Sequence, residues 1–259
     1  MFIDTHTHLF LAEFNKDRDK VLARAFNAGV RMCFLPNVDN STIRPMLNLV
    51  DQYPEYCYPM IGLHPTSVKD NYNTELQIVK DWLLKRKFYA VGETGIDLYR
   101  EKSFLKEQQD AFIYQIRLAK EYDLPVVIHS RESFNEIFDI LDEENDKNLT
   151  GIFHSFTGTP EQASRIINYG FKIGIGGIVT FKNAGLDQVV AQIDPNHIVL
   201  ETDSPYLAPV PKRGKRNEPS FLVYTAARVA ELYGLPVGEL ARITTRNALD
   251  IYRIKIPDQ

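Results

Sequence analysis

Cysteine is scarce in this 259-residue sequence, and long apolar runs are missing. The two cysteines, Cys33 and Cys57, lie in strand-like apolar segments of a chain too large to need a covalent staple, so we expect buried free thiols. No apolar run approaches the ~18 residues that a membrane-spanning helix needs. The first residues also lack the basic and apolar regions of a secretory signal. These absences predict a cytoplasmic protein that does not enter a membrane.

An excess of positive charge is missing as well. The sequence contains 30 Lys+Arg and 34 Asp+Glu, which gives a formal net charge of −4. This balance excludes a uniformly basic nucleic-acid surface, but not a local basic patch. Neither a GxGxxG fingerprint nor a Walker A loop follows the first predicted strand, which argues against an open doubly wound sheet that binds a nucleotide.

Short β-branched or aromatic runs alternate with longer amphipathic segments, as in a parallel sheet built from strand–helix units. The predicted strands are Phe2–Leu9, Val30–Val38, Cys57–His64, Phe88–Thr94, Pro125–Ser130, Gly151–Ser155, Lys172–Gly176 and Ile198–Thr202. Predicted helices include Asn15–Asn27, Asn73–Arg86, Lys102–Tyr122, Ser133–Glu143, Pro160–Tyr169, Ala184–Ile193 and two more between Ser220 and Tyr252. We therefore predict an α/β fold, a (β/α)8 TIM-type barrel with extra C-terminal helices, in a single domain over residues 1–259.

Most histidines lie where predicted strands end. Five of the six histidines do so, and two carboxylates occupy equivalent positions: His6, His8, His64, His129, His154, Glu93 and Asp203. The carboxyl ends of barrel strands form the rim at which the active sites of this fold lie. We therefore expect these seven side chains to converge on one cavity.

The His6-Thr7-His8 sequence predicts a metal site, because alternate residues of a strand project to the same side. Six candidate ligands exceed the three or so that one catalytic zinc takes, so two divalent ions bridged by a carboxylate are expected. These ligands are His6, His8, Glu93, His129, His154 and Asp203. Asp4 lies one layer deeper on the same face, where it either accepts a hydrogen bond from a ligand or packs the barrel floor.

Six segments together resemble the TatD family of metal-dependent DNases, which are amidohydrolase-like barrels. The segments are Phe2–Leu9, Gly62–Pro65, Gly92–Asp97, His129–Arg131, His154–Gly158 and Glu201–Leu207. The resemblance implies a first metal held by His6, His8, Glu93 and Asp203, and a second held by Glu93, His129 and His154. Four imidazoles favour Zn²⁺ or Mn²⁺, whereas relatives are usually described with Mg²⁺, so the identity of the metal stays open.

Several polar residues near these motifs have two interpretations. Glu201 shares a strand face with Asp203 and either supports a metal ligand or is a buried charge paired lower in the barrel. Arg131 either contacts a substrate phosphate or orients a carboxylate. Asp97 and Arg100 are expected to cap a helix and to form a surface ion pair.

By resemblance, the expected activity is hydrolysis of DNA in the 3′ to 5′ direction, with single-stranded DNA as the substrate and RNA as a second one. Asp203 is expected to ligate a metal and to accept the proton of the attacking water. Glu93 is expected to bridge the metals, and His64 to donate a proton to the phosphate or the leaving oxygen. The alternative for His64 is a strand-end histidine bonded to the backbone. Tyr206 and Phe156 either stack on a base or only line the rim.

Four cations follow the eighth strand within five residues. Lys212, Arg213, Lys215 and Arg216 predict a phosphate-binding patch on the catalytic face, or else a solvated basic loop. Two other functions stay open. A small-molecule amidohydrolase or esterase would use the same metal pair, and a non-catalytic barrel would only bind metal or nucleic acid. No obligate protein partner is expected.

Overall fold

The computed structural model describes residues 1–100 and 102–255, in which eight strands alternate with nine α-helices. The strands are β1 (Phe2–Asp4), β2 (Val30–Pro36), β3 (Cys57–Met60), β4 (Val91–Asp97), β5 (Val126–Arg131), β6 (Gly151–Phe153), β7 (Lys172–Ile175) and β8 (Ile198–Leu200). The helices are α1 (Arg18–Asn27), α2 (Asn40–Gln52), α3 (Tyr72–Leu83), α4 (Leu105–Glu121), α5 (Phe134–Glu144), α6 (Pro160–Asn168), α7 (Leu186–Val190), α8 (Leu222–Tyr233) and α9 (Val237–Ile251).

The strands close into a barrel. Strands β1 to β3 form one parallel sheet and β4 to β8 form another. The backbone N–H of Thr5 donates to Leu200 O (3.1 Å), which joins β1 to β8. The N–H of Gly92 donates to Ile61 O (2.8 Å), which joins β3 to β4. The predicted (β/α)8 barrel is confirmed.

Helix α9 and the residue after it support the apolar interior of the barrel. One buried residue from each of six strands contributes to this interior: Ile3, Phe34, Met60, Val127, Ile152 and Val199. Tyr252 follows α9 and stacks on Phe34 with ring centroids 3.6 Å apart. Its hydroxyl donates to Thr5 O (3.0 Å), directly before the first histidine. The predicted C-terminal helices are therefore present, and the residue after the second of them anchors the segment between β1 and the His-x-His pair.

The cysteines are as predicted, whereas the first strand is shorter than predicted. Cys33 and Cys57 are buried and free, as predicted, and face each other in the register of β2 and β3. The first strand is shorter than Phe2–Leu9, because the regular ladder ends at Asp4 and only a single bridge, from Thr7 to Ser204, continues it. Within residues 1–100 and 102–255, no helix combines the length and apolar character needed to cross a membrane.

Candidate metal centre

The seven strand-end residues meet at one end of the barrel. Six of them line a cavity of about 630 Å³: His8, His64, Glu93, His129, His154 and Asp203. His6 is fully buried, with its ring stacked on that of His154 at 3.4 Å between centroids. The structure therefore brings together all of the residues that the sequence places at strand ends.

Glu93 occupies the centre of this group. Its Oε2 lies 3.1 Å from His6 Nε2 and 3.9 Å from His8 Nε2. Its Oε1 lies 2.7 Å from His129 Nδ1 and 3.7 Å from His154 Nε2. Each carboxylate oxygen thus faces a different set of imidazoles, with His64 also near Oε1, and a carboxylate in such a position can bridge two cations.

Asp203 supplies the second negative charge of the group. Its Oδ1 lies 3.5 Å from His8 Nε2 and 4.0 Å from His6 Nε2. The same oxygen lies 3.9 Å from His154 Nε2. The backbone N–H of Asp203 donates to His6 O (2.9 Å), and this contact holds the carboxylate opposite the His-x-His pair.

The carboxylates and imidazoles strongly perturb one another's pKa values. Burial raises the pKa of Glu93, but the imidazoles of His64 and His6 outweigh it and hold this pKa well below its usual range. Burial lowers the pKa of His154, but the carboxylates of Glu201 and Glu93 outweigh it and raise this pKa to about 10. The centre therefore concentrates negative charge in a desolvated place, which favours cations.

Unpartnered nitrogen atoms show where a cation fits. Within the described part of the chain, both ring nitrogens of His6 are buried without a hydrogen-bond partner. A buried polar atom without a partner is costly, so such an atom normally has a ligand. Three overlapping groups have ligand atoms within 4.8 Å of one another: His6, His8 and Asp203; His6, Glu93 and His154; and His64, Glu93 and His129. This donor set of imidazoles and carboxylates fits divalent metal ions.

Two further carboxylates contact the histidines from behind. Glu201 Oε1 lies 3.0 Å from His154 Nδ1 and accepts a hydrogen bond from the backbone N–H of Ser155 (2.5 Å). Asp97 Oδ2 lies 3.0 Å from His129 Nε2. Carboxylates in such positions fix the tautomer and the orientation of metal-binding histidines. The arrangement can therefore hold metal ions and present them to a substrate in the cavity.

A family model described as TatD related DNase matches residues 3–253 of the chain. The chain belongs to this family. A metal-dependent hydrolase of Bacillus subtilis, YabD, is 38% identical over 98% of this chain and 100% of its own length. A 3′-5′ ssDNA/RNA exonuclease TatD of Erwinia tasmaniensis is 33% identical over 97% of this chain and 99% of its own length. The crystal structure of the TatD homologue YjjV of Escherichia coli superposes with a TM-score of 0.92, at 31% identity and 98% coverage of both chains.

The TatD membership confirms the resemblance seen in the sequence. It also makes the protein a metal-dependent hydrolase, the description that YabD of Bacillus subtilis and YcfH and YjjV of Escherichia coli carry. Around the metal ligands, some contacts agree with the expectations from the sequence and others differ from them.

The surface ion pair expected for Asp97 and Arg100 is wrong. Asp97 is buried, and only 1% of its surface is exposed. Its Oδ1 accepts hydrogen bonds from the backbone N–H groups of Tyr99 (3.0 Å) and Arg100 (2.8 Å), so it does cap the turn after β4. Glu93 and Asp97 stand four residues apart in one strand and share a face. That spacing is the sequence signal that could have revealed the contact with His129.

Asp4 joins β1 to the end of β8. Its carboxylate accepts hydrogen bonds from the backbone N–H (2.9 Å) and the hydroxyl (2.6 Å) of Thr202. It also accepts from the backbone N–H of His6 at 3.4 Å, and not from an imidazole ring. Burial raises the pKa of Asp4 to about 8. Asp4 therefore packs in the barrel floor and also accepts a hydrogen bond from a ligand residue, so the structure agrees with both interpretations given for it.

His64 lines the TatD cavity and has two different neighbours. Its Nδ1 accepts a hydrogen bond from the backbone N–H of Thr66 (3.1 Å), and its Nε2 lies 3.3 Å from Glu93 Oε1. A backbone N–H can only donate, so in the neutral ring the proton sits on Nε2. Burial lowers the pKa of His64 and so favours the neutral ring.

The four cations after β8 have different surroundings. Arg216 forms an ion pair with Asp17, with both of its terminal nitrogens 2.8 Å from carboxylate oxygens. Arg213 lies over the Phe181 ring at 4.5 Å. The four cations are Lys212, Arg213, Lys215 and Arg216, and none of them is among the described residues that line the cavity. The expectation of one continuous phosphate patch is therefore wrong for Arg216, because Asp17 already neutralises its charge.

Two arginines that line the cavity come from the loop after β4 and the end of β5. They are Arg100 and Arg131. The Arg131 guanidinium lies 4.1 Å from the centroid of the Tyr99 ring, which supports it from one side. Phe156 is buried, packs edge-on against Phe134 and is not among the described residues that line the cavity, so neither alternative given for it, base stacking or lining the rim, agrees with the structure.

Proposed function

We propose that this TatD protein is an exonuclease that removes nucleotides from the 3′ end of single-stranded DNA, with RNA as a second substrate. The proposal includes two divalent ions, of zinc, manganese or magnesium. The relative from Erwinia tasmaniensis, whose name specifies a 3′-5′ ssDNA/RNA exonuclease, supports the choice of substrate and direction.

The observation that carries this proposal is the position of Glu93. Its two oxygens each face separate imidazoles, at 2.7 Å and 3.1 Å for the nearest nitrogens, inside an open cavity. This arrangement supports a pair of ions with Glu93 between them, in agreement with the ligand set that the family resemblance implies. When bound, such a pair supplies the positive charge that activates a water molecule and stabilises the leaving oxygen of a phosphodiester.

Asp203 and His64 are the residues proposed to move protons. Asp203 lines the cavity, and burial raises its pKa, but the imidazoles of His8 and His154 outweigh burial and leave this pKa below the usual range. Asp203 is therefore an ionised acceptor for the proton of the attacking water. His64 lines the same cavity and, with its proton on Nε2, can donate a hydrogen bond to the phosphate or to the leaving oxygen. Full transfer of a proton to the leaving oxygen requires the imidazolium form, which becomes the neutral ring. A protonated nitrogen cannot ligate a metal, which supports a role for His64 toward the substrate.

The remaining proposed contacts are electrostatic. Arg131 lines the cavity and is placed to contact a substrate phosphate. Lys212, Arg213 and Lys215 are proposed to attract the strand farther from the scissile bond, since they lie on the loop after β8 and outside the described lining of the cavity. Glu201 is proposed to hold His154 in its ligating orientation.

The test combines metal analysis with cleavage of a 5′-labelled single-stranded oligonucleotide, which yields a ladder of shortened products if nucleotides leave from the 3′ end. Asp203→Asn should keep much of the bound metal and lose about 10²–10⁴-fold in turnover, the scale of a positioned general base. Glu93→Ala should lose both ions and all cleavage.

Two results would contradict the proposal. Near-normal turnover of Asp203→Asn with its metals present would remove Asp203 from the proton transfer. Rapid hydrolysis of a simple ester or lactone by a parent protein that leaves the oligonucleotide intact would show a small-molecule hydrolase instead.

A further inference from the structure

Tyr206 is a large aromatic side chain left exposed at the mouth of the cavity. It lies three residues after Asp203, lines the cavity and is 49% exposed. Its ring centroid lies 6.1 Å from that of His8. An exposed ring leaves apolar area in water, which costs hydrophobic stabilisation that a bound partner would recover. The uncovered ring is therefore placed where a substrate enters.

The backbone beneath this ring is held firmly. The buried side chain of Asn217 donates to the carbonyl oxygens of Thr202 (2.8 Å) and Tyr206 (2.7 Å). The backbone N–H of Tyr206 donates to Asp203 O (2.9 Å), and that of Asn217 donates to Pro205 O (3.0 Å). A side chain on a fixed backbone loses little freedom when a ligand binds, so the ring is organised in advance for stacking.

Two cations line the same cavity as the Tyr206 ring. Arg100 and Arg131 both contribute to the lining, and Tyr99 lies under the Arg131 guanidinium at 4.1 Å. One wall of the mouth thus offers an aromatic face, and cations are available for phosphate.

We propose that Tyr206 stacks on an unpaired nucleobase of one of the two nucleotides that flank the scissile phosphate, while Arg100 and Arg131 contact neighbouring phosphates. The proposal rests on the exonuclease function proposed above and adds the contact by which the enzyme recognises a single strand. Stacking on an aromatic ring tolerates every base, since each base has a π-face, so no sequence preference is expected.

A base that stacks on Tyr206 must leave its own helical stack. A duplex end therefore has to open before its terminal base can enter the mouth, and this opening disfavours paired ends. The same reasoning predicts faster cleavage of a 3′ overhang than of a blunt end by the parent protein.

The experiment is a cycle between protein variants and modified substrates. Tyr206→Ala is compared with the parent on single-stranded oligothymidylate and on versions with one abasic nucleotide at the last, the second-last or a distant position. On the unmodified strand, Tyr206→Ala should raise KM roughly ten- to hundredfold, the scale of one lost base stack. With the abasic nucleotide at the contacted position, the parent and Tyr206→Ala should have equal KM values.

Two variants serve as controls. Tyr206→Phe keeps the ring and should keep the low KM. Phe26→Ala removes a ring that is 52% exposed and lies under Arg31 at 4.0 Å, in another cavity lined by Met1 and Tyr58. Phe26 matches Tyr206 in carrying an aromatic ring that is about half exposed, but it lies in a different cavity, so its removal should leave KM unchanged.

The outcomes separate the two proposals. If the parent cleaves the oligonucleotide but Tyr206→Ala raises KM equally on all the abasic substrates, the ring supports the loop and does not stack, and only the present inference fails. The same holds if Tyr206→Ala has the KM of the parent. If the parent cleaves no polynucleotide at all, the exonuclease function fails and the inference fails with it.

Discussion

Glu201 is the carboxylate next to His154, with its Oε1 3.0 Å from Nδ1 of that ring, and is proposed to set the orientation of the ring. We predict that Glu201→Gln lowers the affinity for metal by roughly 10–100-fold, the range seen when the supporting carboxylate of a metal-binding histidine is lost. The amide can still accept the hydrogen bond from Ser155, so the fold should persist. The measurement is a calorimetric titration of the metal-free protein with metal ions.

A second buried carboxylate provides the control for this variant. Glu218 is 5% exposed and pairs with Arg24 at 2.6 Å. Glu218→Gln should destabilise the protein and leave the metal affinity unchanged. Equal losses of affinity in both variants would show that buried charge in general, and not the contact with His154, matters for binding.

The sequence predicts which residues lie at the candidate metal centre better than it predicts which charged side chains form ion pairs. His6 and His8 are predictable because strand geometry puts them on one side, and strand-end position then adds the remaining candidates. The pairing of Arg216 with Asp17 is not predictable, because it joins residues 199 positions apart whose charges alone suit many partners. For the same reason the sequence favours a free cation where the structure has an ion pair.

Among the strands, β7 leaves space for the Glu201 carboxylate because it has a glycine, Gly174, at the point of contact. A Cβ atom at Gly174 would come well inside 3.0 Å of the Glu201 carboxylate. We predict that Gly174→Ala costs about 1–3 kcal/mol of stability, as overpacking of a filled interior usually does, and displaces Glu201. Chemical denaturation measures the first effect, and the metal titration used for Glu201→Gln measures the second.

Gly176 is the matched control just beyond the end of the same strand. A Cβ atom there would come no closer than 3.7 Å to its nearest neighbour, an ordinary contact. Gly176→Ala should therefore change neither stability nor metal affinity by much. If Gly174→Ala were equally silent, the carboxylate would have space to move and the close fit between β7 and β8 would not constrain the site.

Element bounds are predicted less well than element order. The β1 ladder is three residues long, whereas alternation in the sequence predicts a strand over Phe2–Leu9. Alternation continues beyond the ladder because His6 and His8 still face the barrel mouth, although their backbone no longer pairs regularly. Helix α2 is hard to predict because Pro45 lies inside it, and proline normally argues against a helix interior.

Metal binding should stabilise the whole molecule, because the ligands come from strands all around the barrel and the unfolded chain cannot assemble them. Free metal at a hundred times its Kd should add about 2.7 kcal/mol to the free energy of unfolding. For a chain of this size, that corresponds to a rise in Tm of roughly 5–10 °C. Thermal unfolding in a series of zinc or manganese concentrations measures the effect.

The variant Glu93→Ala is the control for this prediction, since it removes the carboxylate between the imidazoles. Its Tm should be insensitive to added metal. A Tm of the parent that does not change with metal, or an equal rise in Glu93→Ala, would mean that the ions bind weakly or elsewhere.

The barrel closes through contacts between the two ends of its sheet, and this has a consequence for biosynthesis. The hydroxyl of Thr5 donates to Leu200 O across 195 residues of sequence, and Asp203 follows directly after. At a synthesis rate of about 5–20 residues per second, the ribosome makes the His-x-His pair roughly 10–40 s before it makes Asp203. Throughout that interval the nascent chain holds the first histidines without the aspartate that completes their site. Hydrolytic activity that depends on Asp203 therefore begins only after this residue has been made, so a nascent chain that has the histidines alone cannot yet act on a substrate.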